Sequence, residues 1–225
     1  MWRLGVALST AVLFVVASRT DVVAQTVERT FLLTSPADLE AHGANAEAVT
    51  YRGRAAVRLT KLPANDQAAL AILKGTSFKD GTIEVELAGL PAAGAAETAR
   101  GFVGIAFRVN GDRFECFYLR PTNGRSDDQL RRNHSTQYVS EPEFPWQRLR
   151  QEKPGVYESY VDLEPGAWTR LKIVVAGAKA RLFVHDAPQP ALVVNDLKLG
   201  ETQGAVALWI GPGTEAYFSN LRITR

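Results

Sequence analysis

What the chain lacks excludes several classes of protein. It has one cysteine, Cys116, so a disulfide within the chain and a CxxC zinc or redox motif are both excluded. Its 26 basic and 24 acidic residues nearly cancel, which argues against a nucleic-acid-binding protein that relies on bulk charge. The chain also has no P-loop, dinucleotide fingerprint or Ser-His-Asp arrangement. With 225 residues, 46% of them hydrophobic, it can bury a core without a metal or disulfide.

The N-terminus has the pattern of a targeting segment. Arg3 is followed by an apolar stretch, Leu4 to Ala17, and then by short side chains up to Ala24. A basic residue, a run of about 7–15 apolar residues and small residues before a cut predict a secretory signal peptide over residues 1–24. The run is shorter than the ~20 residues that a membrane span needs, and no later segment is apolar enough. We therefore expect a secreted or periplasmic protein, without a membrane span after signal removal, whose residues 25–225 form one domain.

Segments that alternate apolar and polar residues dominate the rest of the chain. Gly81 to Leu87 alternates Ile, Val and Leu with Thr and Glu, as a strand with one wet face does. The same pattern recurs at Ala167–Val175, Lys179–Val184, Ala205–Ile210 and Tyr217–Ile223. Gly101–Val109 and Phe114–Leu119 are apolar on both faces, as central strands are. Helix is predicted only at Pro36–His42 and after Ser126. These features predict a single all-β domain, a two-sheet antiparallel jelly roll.

One segment breaks this pattern. Pro121 to Gly155 separates a strand ending at Arg120 from one starting near Val156, and it holds much of the charge of the chain. Connections in compact domains usually run about 2–6 residues, and longer ordered loops usually carry function. We therefore predict one long charged loop that forms the binding site.

Three strings carry a family resemblance: Asp80–Glu86, Gly101–Arg108 and Ala207–Leu221. They resemble secreted bacterial domains of the concanavalin A-like lectin/glucanase superfamily, and are most similar to LamG-like domains and the 3-keto-disaccharide hydrolase domain family. The resemblance implies a jelly roll of two antiparallel sheets, in agreement with the strand pattern. The superfamily includes enzymes, lectins and interaction modules, so the fold alone does not assign a function. The Glu-x-Asp-x-x-Glu motif of its glucanases is missing, which argues against retaining glucanase chemistry.

The resemblance to 3-keto-disaccharide hydrolases implies a specific chemistry for the charged segment. A ketone at C3 acidifies the proton at C2, and removal of that proton allows the group at C1 to leave. Such a step needs a base with a pKa near neutrality and a cation or hydrogen-bond donor at the developing enolate oxygen. We expect His134 to be the base and Asp128 to orient it, while Arg131 or Arg132 holds the enolate oxygen.

Other residues of this segment are candidates for substrate binding. Arg120, Arg125 and Arg132 could bind sugar hydroxyls, and Tyr138 and Trp146 could stack on the apolar face of a sugar ring. The alternative is structural: the charges form ion pairs that fix the loop, and the two aromatic rings anchor it.

A metal is not expected from the spacing of His, Asp and Glu, although Asp127 and Asp128 could contribute oxygens to calcium. The expected partner is a carbohydrate or glycoside, which the protein binds and could cleave as a 3-keto derivative. The alternatives are a lectin-like module that binds sugar without cleaving it and a protein-interaction module.

Overall fold

A computed structural model describes residues 1–2, 27–62 and 68–225 of the chain. The predicted signal peptide, residues 1–24, lies outside these ranges except for its first two residues. No helix in the described ranges is long and apolar enough to span a membrane.

The described chain is built mainly from strands. They are β1 (Glu28–Phe31), β2 (Leu39–His42), β3 (Ala44–Tyr51), β4 (Arg54–Lys61), β5 (Ala69–Leu73), β6 (Gly81–Pro91), β7 (Val103–Asn110), β8 (Arg113–Leu119), β9 (Thr136–Glu141), β10 (Glu158–Ser159), β11 (Thr169–Ala176), β12 (Lys179–Val184), β13 (Leu192–Val194), β14 (Ala205–Ile210) and β15 (Thr214–Thr224). The helices are α1 (Gln129–Asn133) and α2 (Trp146–Glu152), with 3-10 turns at Pro36–Asp38 and Pro121–Asn123.

These strands form two antiparallel sheets. One sheet has the order β13-β12-β11-β6-β15-β4-β3, and β1 pairs with the free part of β15. The other has the order β10-β9-β8-β7-β14-β5-β2. Strands that follow one another along the chain often lie in different sheets, as in a jelly roll. The predicted all-β, two-sheet antiparallel jelly roll is therefore confirmed.

The alternating pattern fixes which side chains enter the core between the sheets. Ile83, Val85 and Leu87 of β6 are buried, while the intervening Thr and Glu side chains lie on the outer face. In the other sheet, Ile105 of β7 pairs with Phe117 of β8, and both are fully buried. Side chains of paired residues point to the same side of a sheet, so each pair adds to one continuous apolar layer.

Two predictions of local structure are corrected. The segment Pro121–Gly155 is not one long loop, because it contains α1, β9 and α2. β9 escaped detection because both of its faces are covered, so its buried residues include polar ones such as Thr136 and Gln137 and show no apolar alternation. The helix predicted at Pro36–His42 is limited to its first turn, because Leu39 starts a strand that pairs with β5.

Candidate functional site

A row of side chains crosses the outer face of the seven-stranded sheet. Trp209 of β14 pairs with Gly104 of β7, Gly104 with Tyr118 of β8, and Tyr118 with Gln137 of β9. The rings of Trp209 and Tyr118 stack across the strand of Gly104, with centroids 4.6 Å apart. A Cβ atom at Gly104 would clash with the carbonyl oxygen of Phe117 and with Cβ of Tyr118, so only glycine fits at this position. The sequence thereby builds an aromatic surface on the outside of the sheet.

This surface forms one wall of a groove with a volume of about 1030 Å³. Among the described residues, five aromatic side chains line the groove: Phe102, Phe114, Tyr118, Trp146 and Trp209. Its polar side chains are Thr98, Asp112, Glu141 and Gln147. Trp146 keeps 37% of its surface exposed, whereas Tyr118 and Trp209 are almost fully buried. The groove therefore combines an accessible indole ring with a few polar groups, which is the usual composition of a small-molecule site.

The ring of Trp146 is held by two cations. The guanidinium carbon of Arg150 lies 4.6 Å from the ring centroid, and that of Arg120 lies 5.9 Å away. Arginine over an indole face contributes about 0.5–2 kcal/mol, depending on how far the pair is desolvated. Both guanidinium groups also bind one buried carboxylate, Glu158 of β10. The position of Trp146 is therefore tied to an ion cluster behind it.

Glu158 is the centre of that cluster. It accepts hydrogen bonds from Arg120 at 3.1 Å and from Nε of Arg150 at 2.9 Å, and Nε2 of His134 lies 3.5 Å from its Oε2. Burial raises the pKa of Glu158, but the hydrogen bond from Arg150 and the charges of both arginines outweigh it and lower that pKa. Burial lowers the pKa of His134 against the opposing effect of Glu158. Burial and the charges of Arg150 and Arg120 thus favour the neutral form of the imidazole.

Arg120 lies inside the protein, 5% exposed. Besides Glu158, its guanidinium donates to the hydroxyl of Tyr118 at 2.9 Å, to Oε1 of Gln137 at 3.0 Å and to the carbonyl of His134 at 3.0 Å. These acceptors occupy both terminal nitrogens. Arg120 supports the aromatic wall from behind and is not among the residues that line the groove.

The three residues predicted to be catalytic do not form the expected arrangement. Asp128 caps α1, accepting hydrogen bonds from the backbone N–H groups of Leu130 and Arg131. The side chain of Arg131 donates to Oδ1 of Asn123 at 3.2 Å. His134 lies at the other end of the same five-residue helix, about 9 Å further along its axis. No hydrogen bond between Asp128 and His134 occurs in the described ranges, and the carboxylate next to the imidazole is Glu158.

The remaining predicted binding residues have separate locations. Arg125 is exposed and paired with Asp162 and Glu164, at 2.8 and 3.0 Å. Arg132 donates to the hydroxyl of Tyr160 and to a backbone carbonyl. These arginines lie outside the lining of the groove. Among the candidates of the sequence analysis, only Trp146 lines it.

The position of Tyr138 contradicts its predicted role as a stacking surface for a sugar. Its side chain is fully buried on the inner face of β9, and its hydroxyl donates to Glu115 and accepts from the backbone N–H of Lys198. Tyr138 precedes Val139 on the outer face, and alternation along a strand places consecutive side chains on opposite sides. It is part of the core between the sheets.

The calcium hypothesis gains no support from these residues. In the described ranges, no three His, Cys, Asp or Glu side chains form a group that could hold a metal ion. The carboxylate of Asp128 is occupied by the helix cap.

Most residues of the groove could not be predicted from the sequence. Tyr118 and Phe114 lie on a strand that is apolar on both faces, and Trp209 lies in a segment interpreted as a strand with one wet face. Neither pattern distinguishes a covered outer face from a groove. The available signal was the spacing of Phe114 and Tyr118 by four residues, which places both rings on one face of β8. Glu141 lies in the segment interpreted as a loop, so its position on a strand could not be inferred.

Comparisons with known proteins address the fold. No protein-family model and no curated protein matches the chain. Among solved structures, a Bacillus subtilis protein of unknown function with a galectin-like fold has a TM-score of 0.59 at 10% identity, covering 87% of this chain and 94% of that one. Winged bean acidic lectin, complexed with methyl-α-D-galactose, has a TM-score of 0.55 at 13% identity, covering 89% and 98%. This chain has a lectin-like jelly-roll fold.

A third neighbour is the carbohydrate-binding module CBM66 from Bacillus subtilis, with a TM-score of 0.53 at 12% identity, covering 82% of this chain and 97% of that one. At these identities the neighbours establish the fold alone. In this lectin-like jelly roll, the groove lies on the outer face of the seven-stranded sheet.

Proposed function

We propose that this lectin-like jelly roll binds a carbohydrate, a glycan or glycoside, in the groove beside Trp146. The observation that carries the proposal is the partly exposed indole ring of Trp146 in an aromatic groove of about 1030 Å³. A sugar ring has an apolar C–H face and a polar edge. The first would stack on an indole, and the second would bind polar groups such as Thr98 and Gln147.

The names of two structural neighbours fit the same proposal. Winged bean acidic lectin is complexed with methyl-α-D-galactose, and the Bacillus subtilis module is named as a carbohydrate-binding module.

The experiment is a glycan-panel screen followed by calorimetric titration of the best ligand into the wild-type protein, Trp146→Ala and Trp168→Ala. Trp168 is the matched control because it packs against Tyr51 on the other sheet. We expect Trp146→Ala to weaken binding at least tenfold and Trp168→Ala to leave it within twofold. Equal affinity in the wild type and Trp146→Ala, or no glycan bound by the folded wild type, would overturn the proposal.

A second candidate function is cleavage of 3-keto-glycosides with His134 as the base. It is favoured by the contact between His134 and Glu158 at 3.5 Å, in which Glu158 takes the orienting role that the sequence suggested for Asp128. In this reaction the imidazole takes the C2 proton and the C–H electron pair forms an enolate with the C3 ketone. The ketone then re-forms as a C1–C2 double bond is made and the C1–O bond breaks, and the imidazolium gives its proton to the departing oxygen.

The test is aglycone release from glycosides and their 3-keto derivatives. Release from the keto forms alone, lost in His134→Asn, would support cleavage. The absence of release from both forms would leave binding as the function.

We also propose export to the periplasm or the medium, from the signal pattern of residues 1–24. Mass spectrometry of the protein from its native host would test this proposal, because cleavage after Ala24 makes Gln25 the first residue. Detection of the exported protein with residues 1–24 still attached would contradict it.

A further inference from the structure

The side chains that line the groove have charge of one sign. Asp112 and Glu141 contribute two carboxylates, and no Lys, Arg or His is among the described residues that line it.

Several cations lie near the groove but outside its lining. Arg120 and Arg150 share the single carboxylate of Glu158 and so keep a net positive charge behind the Trp146 ring, and Arg113 lies 3.5 Å from Glu143. Arg100, next to Ala99 of the lining, donates to the backbone carbonyls of Glu97 and Ala99. Among the described residues, the charged side chains that line the groove itself are its two carboxylates.

Glu141 is the more informative of the two acids. It is half-buried on β9, where it pairs with Phe114 of β8, and the carboxylate has no ion pair or hydrogen bond in the part of the chain that the structure describes. Burial raises its pKa. A carboxylate that is partly desolvated without a partner is unfavourable, and a cation in the groove would compensate it.

We infer that the ligand of the groove is an oligosaccharide of hexosamines whose amino groups are free and not N-acetylated. This inference rests on the proposed function and names its ligand class. The sugar ammonium pairs with Glu141, and the aromatic rings favour a cation above their faces. The same carboxylates repel uronic acids and sulfated sugars.

The test uses tetrasaccharides of glucose and galactose in three forms: with the hydroxyl at C2, with an amine at C2, and with a carboxylate at C6. Calorimetric titration at neutral pH gives the affinity for each. We expect the amine form to bind about three- to tenfold more tightly than the neutral form, and the carboxylate form to bind at least about threefold more weakly.

Glu141→Gln removes the charge and keeps the shape of the side chain. The ratio of amine to neutral affinity should fall to about one in this variant. The matched control is Glu143→Gln, two residues along the chain, where the carboxylate pairs with Arg113 and does not line the groove. This control should keep the wild-type ratio.

The outcomes separate the two proposals. If neutral or acidic sugars bind as tightly as amino sugars, or if Glu141→Gln keeps the preference, the inference is wrong and carbohydrate binding stands. If no form binds and the wider glycan panel is also negative, both proposals fail.

Discussion

Arg150 and Trp146 lie four residues apart on α2, and the guanidinium carbon of Arg150 is 4.6 Å from the centre of the Trp146 ring. Residues at this spacing share one face of a helix. Because the same guanidinium binds Glu158, a buried carboxylate on β10 fixes a partly exposed ring at the groove. Glu158 is therefore a positioning residue for Trp146.

Replacing Glu158 with Gln tests this role. The change leaves Arg120 and Arg150 without their shared carboxylate, and removing one partner of a buried ion pair costs about 3–5 kcal/mol. We also expect about three- to tenfold weaker glycan binding by the protein that remains folded, because the Trp146 ring loses its fixed position. Urea denaturation measures the first effect and calorimetric titration the second.

Glu152→Gln is the matched control for Glu158→Gln. It removes an exposed carboxylate of the same helix, paired with Arg148, and should cost less than about 1 kcal/mol. Unchanged ligand affinity in folded Glu158→Gln would show that the cluster is structural only.

The pH dependence of stability should contain a contribution from His134. Burial lowers its pKa in the folded protein below the ordinary value of 6.5, so the unfolded chain binds the proton more tightly. This contribution is fully present above pH 6.5 and is lost as the pH falls from there to the lower folded pKa. Comparing urea midpoints of the wild type and His134→Asn from pH 8 to pH 5 measures it. Parallel curves in this window would contradict the expectation.

Glu158 should contribute to the pH dependence of stability in a more acidic range than His134. Its folded pKa lies below the ordinary value of 4.5, so its stabilisation is present above pH 4.5 and is lost as the pH falls through the folded pKa. Glu158→Gln should therefore show a weaker loss of stability below pH 4.5 than the wild type. An equal loss of stability in both proteins would show that other groups determine the stability below pH 4.5.

Arg108 should be essential for stability and not for binding. It is fully buried and donates to the backbone carbonyls of Lys79 at 2.9 Å and Gly177 at 2.7 Å, and also to that of Gly200. Arg108→Met would leave these acceptors unsatisfied, so we expect a loss of about 3 kcal/mol or more. Arg113→Met, at an exposed position, is the control and should cost less than about 1 kcal/mol. A similar small cost for both variants would contradict this account.

The sequence predicted the sandwich well because its signal is local. Ile83, Val85 and Leu87 alternate within one strand, and the structure buries all three. β9 was missed because Gln137 is buried on the outer face by its contacts with Arg120 and Tyr157, which come from other parts of the chain.

The site was less predictable for a related reason. Trp146 was identified from its charged, aromatic segment, whereas Trp209 and Tyr118 meet only through the register of β14, β7 and β8. That register brings together residues far apart in the chain, and no local pattern encodes it. The helix between Asp128 and His134 holds them at opposite ends, so the predicted contact between these two residues is not formed, and the role of His134 as a base stays a prediction.

Chemical footprinting tests the central claim most directly. Trp146 is partly exposed and Trp209 is nearly buried, so an oxidant of indoles should modify residue 146 of the free protein faster than residue 209. Mass spectrometry of proteolytic fragments gives the extent of oxidation at each tryptophan, with and without the oligosaccharide found by the panel. The account predicts that the bound sugar protects Trp146 and leaves the rate at Trp168, on the other sheet, unchanged. Equal oxidation of Trp146 in the free and sugar-bound protein would show that the carbohydrate binds elsewhere.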